Sequence, residues 1–419
     1  MRGGLAAAVL CVAGLALPFL VGDRAASAEG RLAALRSVFD VGGRGRFGDV
    51  NPSLRAARRL ARDPRAPLYD RVESEGSSFI YPPLALALYR PFADRDVEAA
   101  RRAIVVANHV LFAGVCLLLG VYVARQPGVR PWEAALVIPA ALVFHPLTRA
   151  LEINQATLVV TFLVALAFVA LGEGRPTAAG CALAAAAVIK PHLVLLLPFL
   201  FAIPRVGIAA AAAGGVLFAT SVAYAGWANH VEYGTRVIPM LSAGYAFYPN
   251  QSWNGLFNRL YDQPPPTEFV LAPARAAVRV ASYVFGLATY FVALAASRRS
   301  RGTPPSPTVL LSLAWIATTV VSPIAWEHHY APALFVFATL YAVCRSGARR
   351  PAWLPAATAV AFALTAGYFD VRSLEGAGPR LLASYVFAGG LLLTAACIAA
   401  LRVGAGEGTS GERQEARAA

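Results

Sequence analysis

Residues 103–123, AIVVANHVLFAGVCLLLGVYV, decide the fold class, because they form one apolar stretch that contains no Asp, Glu, Lys or Arg. A helix of about 20 such residues crosses the roughly 30 Å hydrocarbon core of a membrane. The whole chain has the same character, since 58% of its 419 residues are hydrophobic and 14% are charged. A soluble domain is about 25% charged. The composition therefore excludes a water-soluble globular protein and predicts an all-α polytopic membrane protein.

Eleven further apolar segments lie before and after this stretch. They are residues 4–22, 132–148, 156–172, 177–190, 192–204, 206–226, 277–297, 307–322, 330–344, 353–369 and 381–402. We expect about 12 transmembrane helices in a single domain over residues 1–402, with the first helix retained and not cleaved as a signal peptide. The tail, residues 403–419, is predicted to be disordered. The break at Lys190-Pro191-His192 fits either a broken helix or a re-entrant pair.

Basic residues occupy the breaks between the apolar segments and predict the topology. With both termini in the cytoplasm, the cytoplasmic breaks hold twelve arginines and one acid, Glu173, before the tail. This is the asymmetry that the positive-inside rule requires. The same alternation places two long polar loops, about residues 23–102 and 227–276, on the outer side. We assign the net charge of +14 to loops that face anionic membrane lipids, and we expect no nucleic-acid partner.

Unusual polar side chains gather on the predicted outer face. They are Asp40, Asp49, Glu152, Asn154, Gln155, Lys190, Asn250, Gln251, Ser252, Glu327, His328 and His329. An acid, amides, imidazoles and a cation on one membrane face are what an active site needs. The alternative is that outer loops are polar only because they contact water.

The types of these side chains favour phosphate chemistry. Lys190 is the only lysine of the chain, and it either extends to the membrane surface or neutralises a phosphate. His328 and His329 suit phosphate oxygens, whereas neighbouring imidazoles on a helix diverge too far to share a metal ion. Asp49 precedes a basic helix whose stripe of Leu54, Ala57, Leu60 and Ala61 is predicted to lie along the membrane. An alternative role for Asp49 is to cap that helix.

A series of short motifs follows in a recognisable order. They are Asp49 after the first span, Pro67-Leu68-Tyr69, Phe79-Ile80-Tyr81-Pro82-Pro83-Leu84, Ile153-Asn154-Gln155, Ile189-Lys190-Pro191, Asn250-Gln251-Ser252, and Ser322-Pro323 with Trp326 and His328-His329. Over about residues 35–345 this order resembles glycosyltransferase family 87. These GT-C enzymes are typified by polyprenol-phosphate-mannose-dependent α-mannosyltransferases of bacterial cell envelopes. In this chain Asn154 stands where the family commonly has a glycine, and Pro52-Ser53 replaces a commonly expected tyrosine.

The resemblance implies a GT-C fold with outer amphipathic helices and loops, in a bacterial plasma membrane, with the active site on the outer face. The implied reaction is inverting transfer of a sugar, with mannose favoured and arabinofuranose as an alternative, from a polyprenyl monophosphate carrier to an envelope glycan or glycolipid. Asp49 matches the acid that is the general base of the family.

Elementary chemistry assigns roles to the other candidates. Cations and imidazoles stabilise a leaving phosphate as charge builds on it, which is the role expected of Lys190, His328 and His329. Hydrogen bonds and stacking would bind the sugar or acceptor. The residues expected to make these contacts are Gln155, Asn250, Gln251, Tyr81 and Trp253.

We expect no cofactor beyond the lipid-linked donor, and no divalent metal, because a monophosphate leaves with less charge than a nucleotide diphosphate. The main alternative from another class is a 12-span secondary transporter of a small polar solute, and a non-catalytic lipid-binding relative is a third. A transporter would carry its polar residues near the middle of the membrane, whereas the candidates here gather at the outer face.

Overall fold

The computed structural model describes residues 24–41, 47–48, 50–69, 79–261, 267–272, 275–298, 306–346, 350–369 and 381–403. Within these ranges the chain is helical, and the β-contacts there are two isolated bridges that join Tyr245 with Leu271 and Asn250 with Trp326. The all-α prediction is therefore confirmed for this part of the chain. Asp49, the predicted first span at residues 4–22 and nearly all of the predicted tail lie outside the described residues.

The described α-helices are numbered in chain order. They are α1 (Arg24–Ser37), α2 (Val50–Arg62), α3 (Val97–Ala124), α4 (Pro131–Ala135), α5 (Val137–Val143), α6 (His145–Glu152), α7 (Thr157–Gly172), α8 (Pro176–Ile189), α9 (Leu197–Leu200), α10 (Pro204–Ala225), α11 (Trp227–Glu232), α12 (Ile238–Ala243), α13 (Trp253–Leu260), α14 (Ala276–Arg298), α15 (Pro307–Val321), α16 (Ala333–Arg345), α17 (Leu354–Ala366) and α18 (Tyr385–Ala400). Short 3-10 helices at Pro83–Leu88, Arg90–Phe92, Pro191–Leu196 and Glu327–Tyr330, and a π-helical turn at Tyr233–Val237, lie between them. Nine of the predicted apolar segments each coincide with one of these α-helices.

Two predicted segments are not single helices, and proline accounts for both. Over residues 132–148 the chain forms α4, α5 and α6, with a bend of 54° before α6, which carries Pro146 in its first turn. Residues 192–204 hold a 3-10 helix and the single turn α9. Lys190 is extended, with φ −123° and ψ 92°, as expected of a residue before proline. The predicted break at Lys190-Pro191-His192 is thus present, and a shorter apolar run, Pro191–Leu200, follows it. Whether the two runs form a broken helix or a re-entrant pair stays a prediction.

The long helices identify a multi-pass membrane protein. Among the described residues, α3, α10 and α14 are long and apolar enough to cross a membrane, and the bent run α4 to α6 makes a fourth if it counts as one span. Shorter apolar helices are α7, α8, Pro191–Leu200, α15, α17 and α18. The long helices expose large apolar side chains, among them Val110 and Val216, and contact with lipid keeps such a surface out of water. The number of 12 spans stays a prediction.

Helix α15 is the centre of the bundle. Every residue from Thr308 to Val320 is buried, and a helix that is apolar all round belongs inside a protein. Helix α18 approaches it closely at Gly390, where a Cβ atom would lie 2.8 Å from Cγ1 of Val320. Small residues permit this kind of close helix packing within membranes. The central position of α15 places the link that follows it, residues 322–332, at one end of the bundle.

The connections predicted to be cytoplasmic and those predicted to be on the outer side lie at opposite ends of the bundle. Arg125 pairs with Glu173, and Arg345 Nη2 lies 3.2 Å from Glu133 Oε1, so the connections predicted to be cytoplasmic contact one another. Helix α8 starts three residues after Glu173, and its 14 residues rise about 21 Å before Lys190. This separation supports the predicted alternation. Which end faces the cytoplasm stays a prediction.

Helix α2 is amphipathic as predicted, but its apolar face is covered by protein. Val50, Leu54 and Leu60 pack in a second buried cluster with Tyr69 and Phe79, among others. The predicted contact of this face with the membrane is therefore wrong, because the 3-10 helix Pro83–Leu88 packs on α2, and Leu68 and Tyr69 belong to the same buried cluster. Ala61, which the prediction placed on the stripe, is exposed.

Candidate active site

Lys190 forms the centre of a buried polar cluster at one end of the bundle. The side chain is only 7% exposed, and its Nζ lies 2.7 Å from Nε2 of His329, which is 139 positions further along the chain. His329 belongs to the 3-10 turn between α15 and α16. Burial, and then the charge of Lys190, hold the pKa of His329 well below its ordinary value. The imidazole is therefore neutral at pH 7, and Nε2 accepts a hydrogen bond from the ammonium group.

Tyr81 and Gln155 complete one side of this cluster. The ring of Tyr81 lies 5.2 Å from Lys190 Nζ, within the range of a cation–π contact. Its hydroxyl donates a 2.6 Å hydrogen bond to Oε1 of Gln155, and its backbone carbonyl accepts one from the Tyr69 hydroxyl at 2.7 Å. The structure thus brings together four predicted site residues, Tyr81, Gln155, Lys190 and His329. Their roles stay predictions.

The backbone conformation of Asn154 explains why an asparagine can precede Gln155. Asn154 has φ 51°, in the left-handed region that glycine adopts freely and that asparagine tolerates better than most residues. Its side-chain oxygen accepts a 3.2 Å hydrogen bond from Asn108. An asparagine at a position where the resembled family commonly has a glycine therefore preserves the turn that presents Gln155.

His328 and Glu327 extend the cluster toward α6 and α18. The rings of His328 and His329 are 4.8 Å apart and nearly perpendicular. Burial, followed by the charges of Lys190, Arg149 and His145, lowers the pKa of His328. Oε2 of Glu327 lies 3.7 Å from Nε2 of His145, and Oε1 accepts a 3.4 Å hydrogen bond from Tyr385.

Sequence reasoning missed His145 and Arg149. Both lie at the end of the apolar segment 132–148, on α6, and their polarity beside Pro146 was the available signal. No group of three or more His, Cys, Asp or Glu side chains in the described ranges is arranged to hold a metal ion.

Asn250 and Gln251 lie near this cluster, but their amides are bound to the protein. Both side chains are fully buried. Asn250 Nδ2 donates to the carbonyls of Tyr245 and Pro323, and its Oδ1 accepts from Ala325 N and Ser252 Oγ. Gln251 Nε2 donates to Tyr248 O and Ala383 O, while its Oε1 accepts from Phe387 N. Since all amide protons are used, these contacts argue against the predicted direct contacts with a sugar.

Arg259 supports the same loop and was not anticipated. Its guanidinium is only 1% exposed and donates to the carbonyls of Ala246, Phe247 and Asn250. It also donates twice to Ser384 Oγ, at 2.7 and 3.2 Å. A buried arginine with this many acceptors fixes the loop against the residues that precede α18.

Trp253 also points into the protein. Its indole nitrogen donates a 3.0 Å hydrogen bond to Thr289, and its ring contacts Phe257, Phe285 and Phe387. These contacts with α14 and α18 argue against the predicted stacking on a sugar ring, which leaves Tyr81 as the aromatic candidate. Asp49, the predicted base, lies outside the described residues, so its role stays a prediction.

Comparisons with known proteins agree with the order of the motifs. A model of glycosyltransferase family 87 matches residues 79–323. The chain is 29% identical over 308 residues to a polyprenol-phosphate-mannose-dependent alpha-(1-2)-phosphatidylinositol mannoside mannosyltransferase of Mycolicibacterium smegmatis, a match that covers 68% of this chain and 66%, just under two thirds, of the relative. No solved structure matches the chain. Because the family match spans more than half of its length, the chain belongs to glycosyltransferase family 87.

Proposed function

We propose that this protein is a glycosyltransferase that moves a sugar, in the first place mannose, from a polyprenyl monophosphate carrier to a lipid-linked acceptor. The observation that carries the proposal is the buried pair of Lys190 and His329, flanked by Tyr81 and Gln155. A buried ammonium group beside a neutral imidazole favours an anionic ligand. The family and the polyprenol-phosphate-mannose-dependent relative support a lipid-linked phosphate as that ligand.

The proposed mechanism is inverting displacement in one step. Asp49 takes the proton from the acceptor hydroxyl, the acceptor oxygen attacks the anomeric carbon, and the bond from that carbon to the phosphate oxygen breaks. Lys190 and the histidines stabilise the negative charge on the departing polyprenyl phosphate, where preorganised donors have their largest effect. A second carboxylate is not required, unlike in glycoside hydrolysis.

We further propose that the reaction takes place on the outer face of a bacterial plasma membrane, with an envelope glycolipid as acceptor. The positive-inside distribution of arginine supports this side, and the relative carries a phosphatidylinositol mannoside in its name. The position of the cluster at one end of α8, and not halfway along it, speaks against the alternative of a transporter.

The direct test uses purified protein, radiolabelled polyprenyl-phosphate mannose and a membrane glycolipid extract. The wild type is expected to move the label from the carrier to a glycolipid, and Asp49→Asn should lower the rate about 100- to 10,000-fold because the base is lost. Asp63→Asn is the control, since Asp63 is exposed and its carboxylate caps a local turn. Wild-type protein that leaves the label on its carrier contradicts the proposed function, whereas full activity of Asp49→Asn contradicts only the identity of the base.

Independence from metal is a separate part of the proposal. Lys190 supplies the positive charge that a divalent ion supplies in many nucleotide-sugar enzymes, so turnover should be unchanged in excess chelator. Loss of turnover in chelator, with recovery on adding Mg²⁺ or Mn²⁺, would contradict it.

A further inference from the structure

Glu327 and His145, which have no role in the proposed mechanism, converge with His328 beside the Lys190–His329 pair. Glu327 is 3% exposed, His145 is 5% exposed and His328 is 7% exposed. Glu327 and His328 are consecutive in the 3-10 turn, and His145, the first residue of α6, places its Nε2 3.7 Å from the Glu327 carboxylate. The ring of His328 in turn contacts that of His329. The group is thus continuous with the proposed phosphate site.

The polar atoms of this group are poorly satisfied by the protein. Nε2 of His145 and Nε2 of His328 are enclosed and have no hydrogen-bond partner in the described chain. Within the described part of the chain, the Glu327 carboxylate accepts one long hydrogen bond, of 3.4 Å, from Tyr385. Buried polar atoms are almost always hydrogen-bonded, and each one left unsatisfied costs about 1–3 kcal/mol. Such a set calls for an explanation, and a catalytic or ligand-binding role is one that fits its place beside the proposed phosphate site.

The chemistry of the set selects the ligand. A carboxylate accepts two hydrogen bonds from neighbouring hydroxyl groups, and each imidazole donates or accepts one according to its tautomer. A ligand with several hydroxyls close together satisfies all three, and sugars have this arrangement. In the donor, the sugar is joined directly to the phosphate, so a sugar whose phosphate contacts Lys190 and His329 places its hydroxyls within a few ångströms of the same turn.

We propose that Glu327, His145 and His328 form the subsite that binds the hydroxyls of the transferred sugar, an inference that rests on the proposed binding of the donor phosphate by Lys190 and His329. This subsite replaces Asn250 and Gln251 as the main determinant of sugar recognition. Glu327 is the central residue, because its carboxylate lies close to His145 of α6 and accepts a hydrogen bond from Tyr385 of α18.

Two synthetic probes separate the subsite from the phosphate site: decaprenyl phosphate, and the same lipid carrying mannose on its phosphate. Binding is measured on the full-length protein in lipid nanodiscs. Glu327→Gln should weaken binding of the mannosyl probe about ten- to a hundredfold, the equivalent of a hydrogen bond to a charged group. Binding of decaprenyl phosphate should stay within about twofold. Lys190→Met should weaken the binding of both probes.

The matched control is Glu133→Gln, which alters another buried glutamate at the opposite end of the bundle, where it pairs with Arg345. It should leave both affinities unchanged. His145→Phe is the second variant, because it removes the ring nitrogens and keeps a ring against Tyr368, and it should reduce binding of the mannosyl probe alone. If both variants leave that binding unchanged, or weaken both probes equally, the subsite is refuted. Wild-type protein that binds neither probe would instead refute the proposed phosphate site.

Discussion

Two buried polar clusters lie side by side in this protein, and they differ in how their hydrogen bonds are used. The loop cluster consists of Asn250, Gln251, Ser252 and Arg259, and its donors end on carbonyl and hydroxyl groups of the protein. The site cluster consists of Tyr81, Gln155, Lys190 and the turn Glu327–His329. It includes a cation against a neutral imidazole and an enclosed ring nitrogen without a hydrogen-bond partner in the described chain.

The difference teaches that burial of a polar side chain does not by itself indicate function. The loop cluster is complete, so its contribution is to hold the turn that presents His328 and His329. The bridge between Asn250 and Trp326, and the hydrogen bond from Glu327 N to Pro249 O at 3.0 Å, link the two clusters directly. Substitutions in the site cluster should therefore change the rate of transfer and the binding of substrate. Substitutions in the loop cluster should change the free energy of unfolding.

Among substitutions in the two clusters, the largest effect is expected at Lys190. Lys190→Met removes the charge while preserving the length of an apolar stem, and kcat/KM should fall about 100- to 1,000-fold, as on loss of one preorganised donor. Lys190→Arg should recover part of the loss because it restores the charge with different geometry. Rates are measured with the radiolabelled donor. A Lys190→Met rate within tenfold of wild type would remove Lys190 from the proposed mechanism.

Gln251→Glu tests the loop cluster. The substitution directs a carboxylate oxygen at two carbonyls, Tyr248 O and Ala383 O, in place of two N–H donors. The free energy of unfolding should fall by about 3 kcal/mol, seen as a lower unfolding temperature, while the donor KM of the folded enzyme stays within about twofold.

Gln126→Glu is the matched control for that substitution. Gln126 is half-buried at the other end of the bundle and donates one hydrogen bond, to Tyr122 O at 3.2 Å, so the cost should stay below about 1 kcal/mol. If Gln251→Glu raises the donor KM and leaves the unfolding temperature unchanged, the result would support the predicted contact between Gln251 and the sugar.

Apolar periodicity and length were sufficient to predict the helices, because lipid-facing helices need long apolar runs whatever their neighbours are. Nine segments were placed in this way. The structure departs from the predicted single helices at 132–148 and 192–204, where Pro146 and Pro191 interrupt the apolar runs. The covered face of α2 was not predictable, because an amphipathic helix packs equally well on lipid and on protein until its partners are known.

The candidate site was predictable in part for a similar reason. The alternation of spans placed Gln155, Lys190 and His329 at one end of the bundle, and the motif order supplied Tyr81. The sequence could not show that the amides of Asn250 and Gln251 are bound to the protein, because partners such as Ala383 and Phe387 come from more than 130 positions away. Asp49 stays a prediction from the resemblance.

The pH dependence of stability gives a smaller effect. Burial lowers the folded-state pKa of His328 and of His329 below the unfolded value of about 6.5. The unfolded chain therefore binds more protons, so stability is full above about pH 6.5 and falls as the pH drops below it. Each histidine lowers the free energy of unfolding by at most about 1.4 kcal/mol for each pH unit below that value.

The measurement is the unfolding temperature between pH 8 and pH 5, and the double variant His328→Gln/His329→Gln should show a shallower slope below pH 6.5. His109→Gln is the control, because both ring nitrogens of His109 contact carbonyl oxygens on α3 and α1. Equal slopes in wild type and the double variant would show that the site histidines do not titrate on unfolding.

The smallest effect is expected at Trp253, and it separates the two clusters most sharply. Trp253→Phe keeps an aromatic ring against Phe257, Phe285 and Phe387, and it removes the hydrogen bond to Thr289 together with part of the indole. The cost should be about 1 kcal/mol of stability, with kcat and donor KM unchanged. Tyr81→Phe, which removes the hydroxyl that donates to Gln155, should instead raise the donor KM several-fold. If Trp253→Phe raises the donor KM and Tyr81→Phe does not, the sugar contacts Trp253 beside the loop cluster, and the assignment of Tyr81 to the donor site is wrong.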